Sequence, residues 1–188
     1  MTTTSSSRVR MSRRHRIALI GGIVLAVLAG YVTWSNLRPV DLNSSIEIDA
    51  PADRVWQVLT DLRAYPAWNP FVISAEVTSD GGTLKEGATL RNVLRDKTGD
   101  TTFTPTVLAV TPERELRWLG RIGPGLIFDG EHRFELRPLG PGRTLLVQSE
   151  RFTGALVPFV VSSLRADTLP QFEALNRALA QRATALPS

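Results

Sequence analysis

Residues 17–34 form a run of eighteen without a charge, and they follow a tail bearing Arg8, Arg10, Arg13, Arg14 and Arg16. As a helix rising about 1.5 Å per residue, the run extends roughly 27 Å, close to the thickness of a bilayer core. This predicts a transmembrane helix over 17–34. Positive residues flanking a first hydrophobic segment tend to stay cytoplasmic, so residues 1–16 are expected on the cytoplasmic side and the remainder outside it, as a single-pass protein. Val27, Leu28 and Ala29 before Gly30 offer a poor signal-peptidase site. The apolar run continues past it through Tyr31, Val32 and Trp34, with aromatic rings where a membrane interface would lie. A retained anchor is expected, with a cleaved signal segment as the alternative.

The tail also explains the high isoelectric point. Five of the 22 basic residues precede the run, leaving 17 against all 18 acidic residues, a net charge of −1 after Trp34. A nucleic-acid partner normally shows as a basic stripe on the folded domain itself, and none is present. Nor is there any cysteine, which rules out disulfides and thiolate chemistry, so stability must come from a packed core.

About 150 residues remain after the anchor, enough for one domain with one core. The Thr/Ser-rich start, residues 2–7, reads as disordered, and residues 35–43 read as a linker before a domain over 44–184. Ile46 and Ile48 alternate with polar residues, predicting a strand over 45–49. Pro51 suits the first turn of a helix and Asp53 its positive end, with Val55, Val58, Leu59 and Leu62 along one face. Tyr65-Pro66-Ala67-Trp68-Asn69-Pro70 then reads as a loop or a short second helical turn.

Between Phe71 and Phe152, turn signals at 79–82, 96–100, 111–113, 120–125 and 138–142 separate short β-like runs, predicting five or six antiparallel strands. Helical spacing returns over 162–183, where Leu164, Thr168, Phe172, Leu175 and Leu179 share a stripe. Pro170 predicts a kink or a fresh helix start there. The fold class is therefore α+β: a curved antiparallel sheet around a long C-terminal helix, plus the N-terminal transmembrane helix.

Alternation on the last two strands makes a sharper prediction. His132, Phe134 and Leu136 share one face and Glu131, Arg133 and Glu135 the other, while Leu146, Gln148, Glu150 and Phe152 group together. If the 138–142 turn makes a hairpin, His132 pairs with Glu150, Phe134 with Gln148 and Leu136 with Leu146. A histidine facing a carboxylate is either a general acid/base or a hydrogen-bonded staple between strands.

His132 is the one histidine after the anchor, and no HExxH or clustered-carboxylate spacing accompanies it, so no metal site is expected. No GxSxG elbow marks a nucleophile. Gly120, Gly123, Gly125 and Gly130 match neither a dinucleotide nor a P-loop pattern, so no cofactor is expected; these glycines read as a flexible turn. Trp118 reads as core or cavity wall, and Trp68 as core or a cap on an entrance. Asn92 and Arg91 lie on opposite faces of their strand, so only one points inward.

Several separated motifs carry a resemblance: Ile48-Asp49-Ala50-Pro51 with Val55-Trp56, then Asp61, Tyr65 and Trp68-Asn69-Pro70, then Gly130-Glu131-His132-Arg133-Phe134, and Glu150-Arg151-Phe152-Thr153-Gly154. In this order they resemble the SRPBCC superfamily of START-like, polyketide cyclase/dehydrase-type domains, over residues 43–183. The resemblance implies a helix-grip fold with a deep apolar cavity between sheet and C-terminal helix. Trp68, Trp118, His132, Phe134, Gln148, Glu150, Phe152 and Phe172 are the residues expected to line it.

That superfamily mixes carriers and enzymes, and a fold does not transfer a reaction. The leading expectation is a membrane-anchored module holding a hydrophobic small molecule or lipid. The alternative is a cyclase/dehydratase-like enzyme using His132 as acid/base with Glu150. A third reading, an envelope protein docking another protein, requires a cavity filled by bulky side chains.

Overall fold

The computed structural model describes residues 12–96 and 99–185. The 2–7 stretch, Arg8 and Arg10 lie outside the described residues, as does the tip of the 96–100 turn. Helix α1 (Arg13–Asn36) has 24 residues, is long and apolar enough to cross a membrane, and buries none of its apolar window in the protein. The same properties fit a signal sequence.

Strand β1 (Val40–Ile48) begins four residues earlier than the expected domain start, so residues 40–43 are strand and not linker. Its pairing partner supplies the reason: Val40 opposes Phe152 and Leu42 opposes Glu150, so the early residues are held by a long edge ladder. Helix α2 (Ala52–Thr60) starts directly after Pro51 and buries Val55, Val58 and Leu59. A tight turn (Leu62–Ala64) buries Leu62 and leads into the short helix α3 (Tyr65–Trp68). Asn69 Oδ1 then accepts from the backbone N–H groups of Phe71 (3.1 Å) and Val72 (2.8 Å), turning the chain into the next strand.

Seven strands follow among the described residues, more than the turn signals predict: β2 (Val72–Val77), β3 (Leu90–Asp96), β4 (Gly99–Phe103), β5 (Thr106–Thr111), β6 (Glu115–Arg121), β7 (Asp129–Gly140) and β8 (Arg143–Thr153). With β1 they form a five-stranded antiparallel sheet in the order β1-β8-β7-β6-β5 and a three-stranded one in the order β2-β3-β4. The two join where Thr89 bridges Thr106 and where Leu90 N–H donates to the Pro105 carbonyl. Register shifts in the β2–β3, β5–β6 and β7–β8 pairs mark bulges, which bend strands and curve a sheet.

Helix α4 (Val157–Ala185) closes the grip. It starts five residues before the predicted 162 and runs through Pro170, so no new helix begins there. Its second half buries Phe172, Leu175, Asn176, Leu179 and Ala183. Leu175 and Leu179 pack with Ile48, Val55, Leu59, Leu116, Phe134 and Leu146 in the main core. The opposite sheet face carries charges in alternation: Arg117 bridges Glu115 (3.0 Å) and Glu131 (3.1 Å), and Arg137 donates to Glu135 (2.7 Å). That hydrogen bond holds the Glu135 carboxyl below its ordinary value.

Candidate functional site

The β7–β8 hairpin places His132 opposite Glu150, Phe134 opposite Gln148 and Leu136 opposite Leu146, the register read from alternation. Every second residue of β7 from Gly130 to Leu136 is buried, because that face looks into the space between sheet and α4. A one-residue slip would put Arg133 and Glu135 inside and is therefore strongly disfavoured.

Between sheet and helix lies a cavity of about 430 Å³, within the range of small-molecule sites. It is not filled by bulky side chains. Apolar residues dominate its wall, among them Tyr65, Leu90, Phe103, Phe128 and Leu175. Trp118, His132, Phe134, Gln148, Glu150, Phe152 and Phe172 all line it. Trp68 does not: its ring packs edge-on against Tyr65 at 5.0 Å, beside the core clusters. Of the two roles open to Trp68, core packing and an entrance cap, these contacts fit core packing.

His132 sits in an aromatic cage. Trp118 stacks on it at 4.9 Å and within 6° of parallel, Phe172 meets it edge-on at 5.1 Å, and Phe134 tilts against it at 4.8 Å. Nδ1 lies 3.3 Å from Glu150 Oε2, and Nε2 lies 3.1 Å from Gln148 Nε2. A neutral ring with its proton on Nδ1 satisfies both contacts, donating to the carboxylate and accepting from the amide. Both ring nitrogens are thus occupied by protein. Glu150 reaches this position because residue 130 is glycine; a Cβ there would lie 2.7 Å from Glu150 Oε1.

Sequence reasoning missed several wall residues. Asn92 points inward with Leu90 and Leu94, while Arg91 points out and pairs with Glu76 at 3.5 Å. The alternation Leu90, Asn92, Leu94 was the available signal. Among the described residues, Asn92 Oδ1 and Gln148 Oε1 are buried without a hydrogen-bond partner. Tyr65 donates to the Leu59 carbonyl at 2.7 Å, and burial, with Asp61's charge adding, pushes its phenol well above the ordinary value. The 120–125 turn borders the cavity through Gly120, Arg121 and Ile122, and backbone hydrogen bonds tie it to its surroundings. Ile122 N–H donates to the Phe128 carbonyl (2.9 Å), and Ala155 N–H donates to Leu126 (2.8 Å). Among the described residues, no three histidine or acidic side chains gather to hold a metal ion.

A family model described as "polyketide cyclase / dehydrase and lipid transport" matches residues 39–184, most of the chain and all of the elements that build the cavity. The chain belongs to this family. No curated protein matches it. Among solved structures, an aromatase/cyclase from Streptomyces sp. R1128 superposes with a TM-score of 0.65 at 19% identity, covering 78% of this chain and 94% of that one. A START superfamily protein from Mycobacterium smegmatis gives 0.59 at 22%, covering 78% and 99%. Norcoclaurine synthase from Thalictrum flavum, in complex with dopamine and hydroxybenzaldehyde, gives 0.62 at 16%, covering 80% and 90%. At these identities the likeness establishes the START-like helix-grip fold of this family member and no more.

Proposed function

We propose that this family member is a single-pass membrane protein whose α1 crosses the bilayer, with residues 1–16 cytoplasmic and the domain from β1 onward outside the cytoplasm. In this reading the domain holds a hydrophobic small molecule or lipid. The observation that carries it is the open, mostly apolar cavity in which the one histidine has both nitrogens bound by protein. A general acid or base must exchange a proton with its substrate through a free or water-linked atom. Here His132 serves as a rigid wall, with Trp118 and Phe172 giving flat surface for an unsaturated or ring-bearing ligand.

Asn92 Oδ1 and Gln148 Oε1 favour a ligand with a hydroxyl or amine over a pure hydrocarbon, because an unmet buried acceptor costs about 1–3 kcal/mol. Extraction of the full-length protein, purified from its native membranes, into organic solvent tests the reading; one hydrophobic compound recovered in proportion to protein supports it. His132→Ala is expected to weaken rebinding of that compound about tenfold, through the wall surface lost with the ring and the loosened placement of Gln148.

The His132–Glu150 pair keeps a second reading, a cyclase/dehydratase-like enzyme. It requires Gln148 to leave Nε2 when substrate arrives. Loss of turnover in His132→Ala with affinity unchanged would establish that reading and displace the first.

A further inference from the structure

Six apolar side chains stand exposed around the point where α1 meets the domain. They are Trp34 and Leu37 at the end of α1, Ile122 and Leu126 in the β6–β7 loop, and Leu156 and Phe159 at the start of α4, each between 45% and 76% exposed. Scattered apolar residues on a surface are ordinary, but a contiguous group marks an interaction site.

The group is held together by specific bonds. Tyr31 on α1 donates to the Ala155 carbonyl at 2.7 Å, and its ring lies 6.2 Å from that of Phe159. Asn36 on α1 donates to the Leu126 carbonyl at 3.2 Å. Leu156 N–H donates to Ile127 at 3.0 Å. Gly154 sits so close beneath the loop that a Cβ would lie 2.3 Å from the Ile127 carbonyl oxygen. Leu126 itself has φ of 76°, a conformation unusual for leucine that turns its side chain outward. The loop, the helix start and the end of α1 therefore form one fixed junction.

The same loop and helix form the rim of the cavity. Arg121, Ile122 and Phe128 line it from one side, and Leu164, Asp167 and Thr168 of α4 from the other. Leu164 lies only five residues, about 8 Å of helix, beyond Phe159.

We infer that this junction is seated in the bilayer interface, so that the cavity mouth opens toward lipid and the ligand exchanges with the membrane rather than with bulk water. The inference rests on the membrane reading of α1. It follows from continuity: a bilayer that takes up α1 lies directly against side chains bonded to the end of α1. Arg38, with its guanidinium 5.1 Å from the Trp34 ring, has the arrangement of an interfacial anchor. The far end of the molecule gives the contrast. The β7–β8 tip with exposed Leu139 lies roughly 35 Å along β7 from Asp129.

The chain has no cysteine, so single cysteines report position without interference. Leu25→Cys, Leu126→Cys, Phe159→Cys and Leu139→Cys, each in the full-length chain, are labelled with bimane and reconstituted in phosphatidylcholine vesicles containing doxyl-labelled lipid. Leu126→Cys and Phe159→Cys are expected to be quenched by shallow doxyl groups and shielded several-fold from aqueous iodide, relative to Leu139→Cys. Leu25→Cys is expected to respond to deep doxyl groups. If Leu25→Cys is quenched by lipid while the two junction sites are as open to iodide as Leu139→Cys, the inference is overturned and the anchor stands. Shielding of the junction sites from both quenchers, as by a protein partner or a second copy, overturns it equally. If Leu25→Cys itself is untouched by lipid, the anchor reading fails and the inference with it.

Discussion

The two halves of α4 do different work. After Pro170 the helix is clamped: Leu175 and Leu179 are buried against β1, α2 and the centre of the sheet, and Asn176 donates to Ser44 Oγ at 3.2 Å. Before Pro170 most side chains are exposed; Val157 and Leu164 pack with the small cluster of Leu42 and Phe152, and Leu164, Asp167 and Thr168 border the cavity. One helix thus combines an end that stabilises the domain with an end that borders an opening. Proline sits at the change, where its missing N–H removes a helical hydrogen bond. Closed and open ends of a binding cavity can be built from one continuous element when only half of it packs into the main core.

The sharpest way to break the comparison is a matched truncation. Leu179→Ala removes a fully buried side chain and is expected to cost about 2–5 kcal/mol, whereas Leu164→Ala over the cavity should cost under about 1 kcal/mol. Denaturant titration in detergent checks both; equal losses would mean that the two halves are packed alike.

Gly154→Ala probes the open end from the other side. Its φ of 127° and the 2.3 Å approach of Ile127 predict strain of about 1–3 kcal/mol. Hydrogen exchange should rise over 122–128 and remain unchanged over 172–183. Exchange rising in both regions would show that the rim and the clamp are one cooperative unit.

Tyr65→Phe adds a pH dimension on the cavity floor. The folded phenol keeps its proton to higher pH than the unfolded chain does, through burial and Asp61. Its contribution is therefore whole below about pH 10 and is lost as pH rises above that value. Loss of the bond to Leu59 should cost about 1 kcal/mol near neutrality, and the variant should decline less steeply in alkali than the parent. Parallel pH–stability curves would remove this account.

Gly130→Ala is the most local change in effect. It displaces the Glu150 carboxylate from His132 and presses on the Phe152 ring, 3.3 Å from where the Cβ would stand, so the nitrogen resonances of His132 should shift. Unchanged resonances would show that the carboxylate does not set the ring's state.

Much of this was legible in the sequence where one face of a segment is buried. The His132–Glu150 register followed from alternation because a slip would bury Arg133 and Glu135. β4 was not legible, being short and largely exposed, with no apolar face to set a period. The early turns of α4 were hidden by the run Val157-Pro158-Phe159-Val160-Val161, whose β-branched residues favour strands; packing of Val157 with Leu42 and Phe152 overrides that preference. Trp68 and Asn92 were left open for a related reason. Periodicity assigns a face, but which face borders empty space depends on distant elements.

The central claim is that the cavity holds a hydrophobic ligand, and native mass spectrometry of the full-length protein against Thr168→Trp tests it most directly. Thr168 lines the open half at the rim, so a tryptophan there obstructs the mouth and part of the lumen, while lipids bound around α1 are untouched. The account predicts one additional hydrophobic species of constant mass on the parent, absent from the variant. The same bound species on both proteins, or none on either, would contradict it.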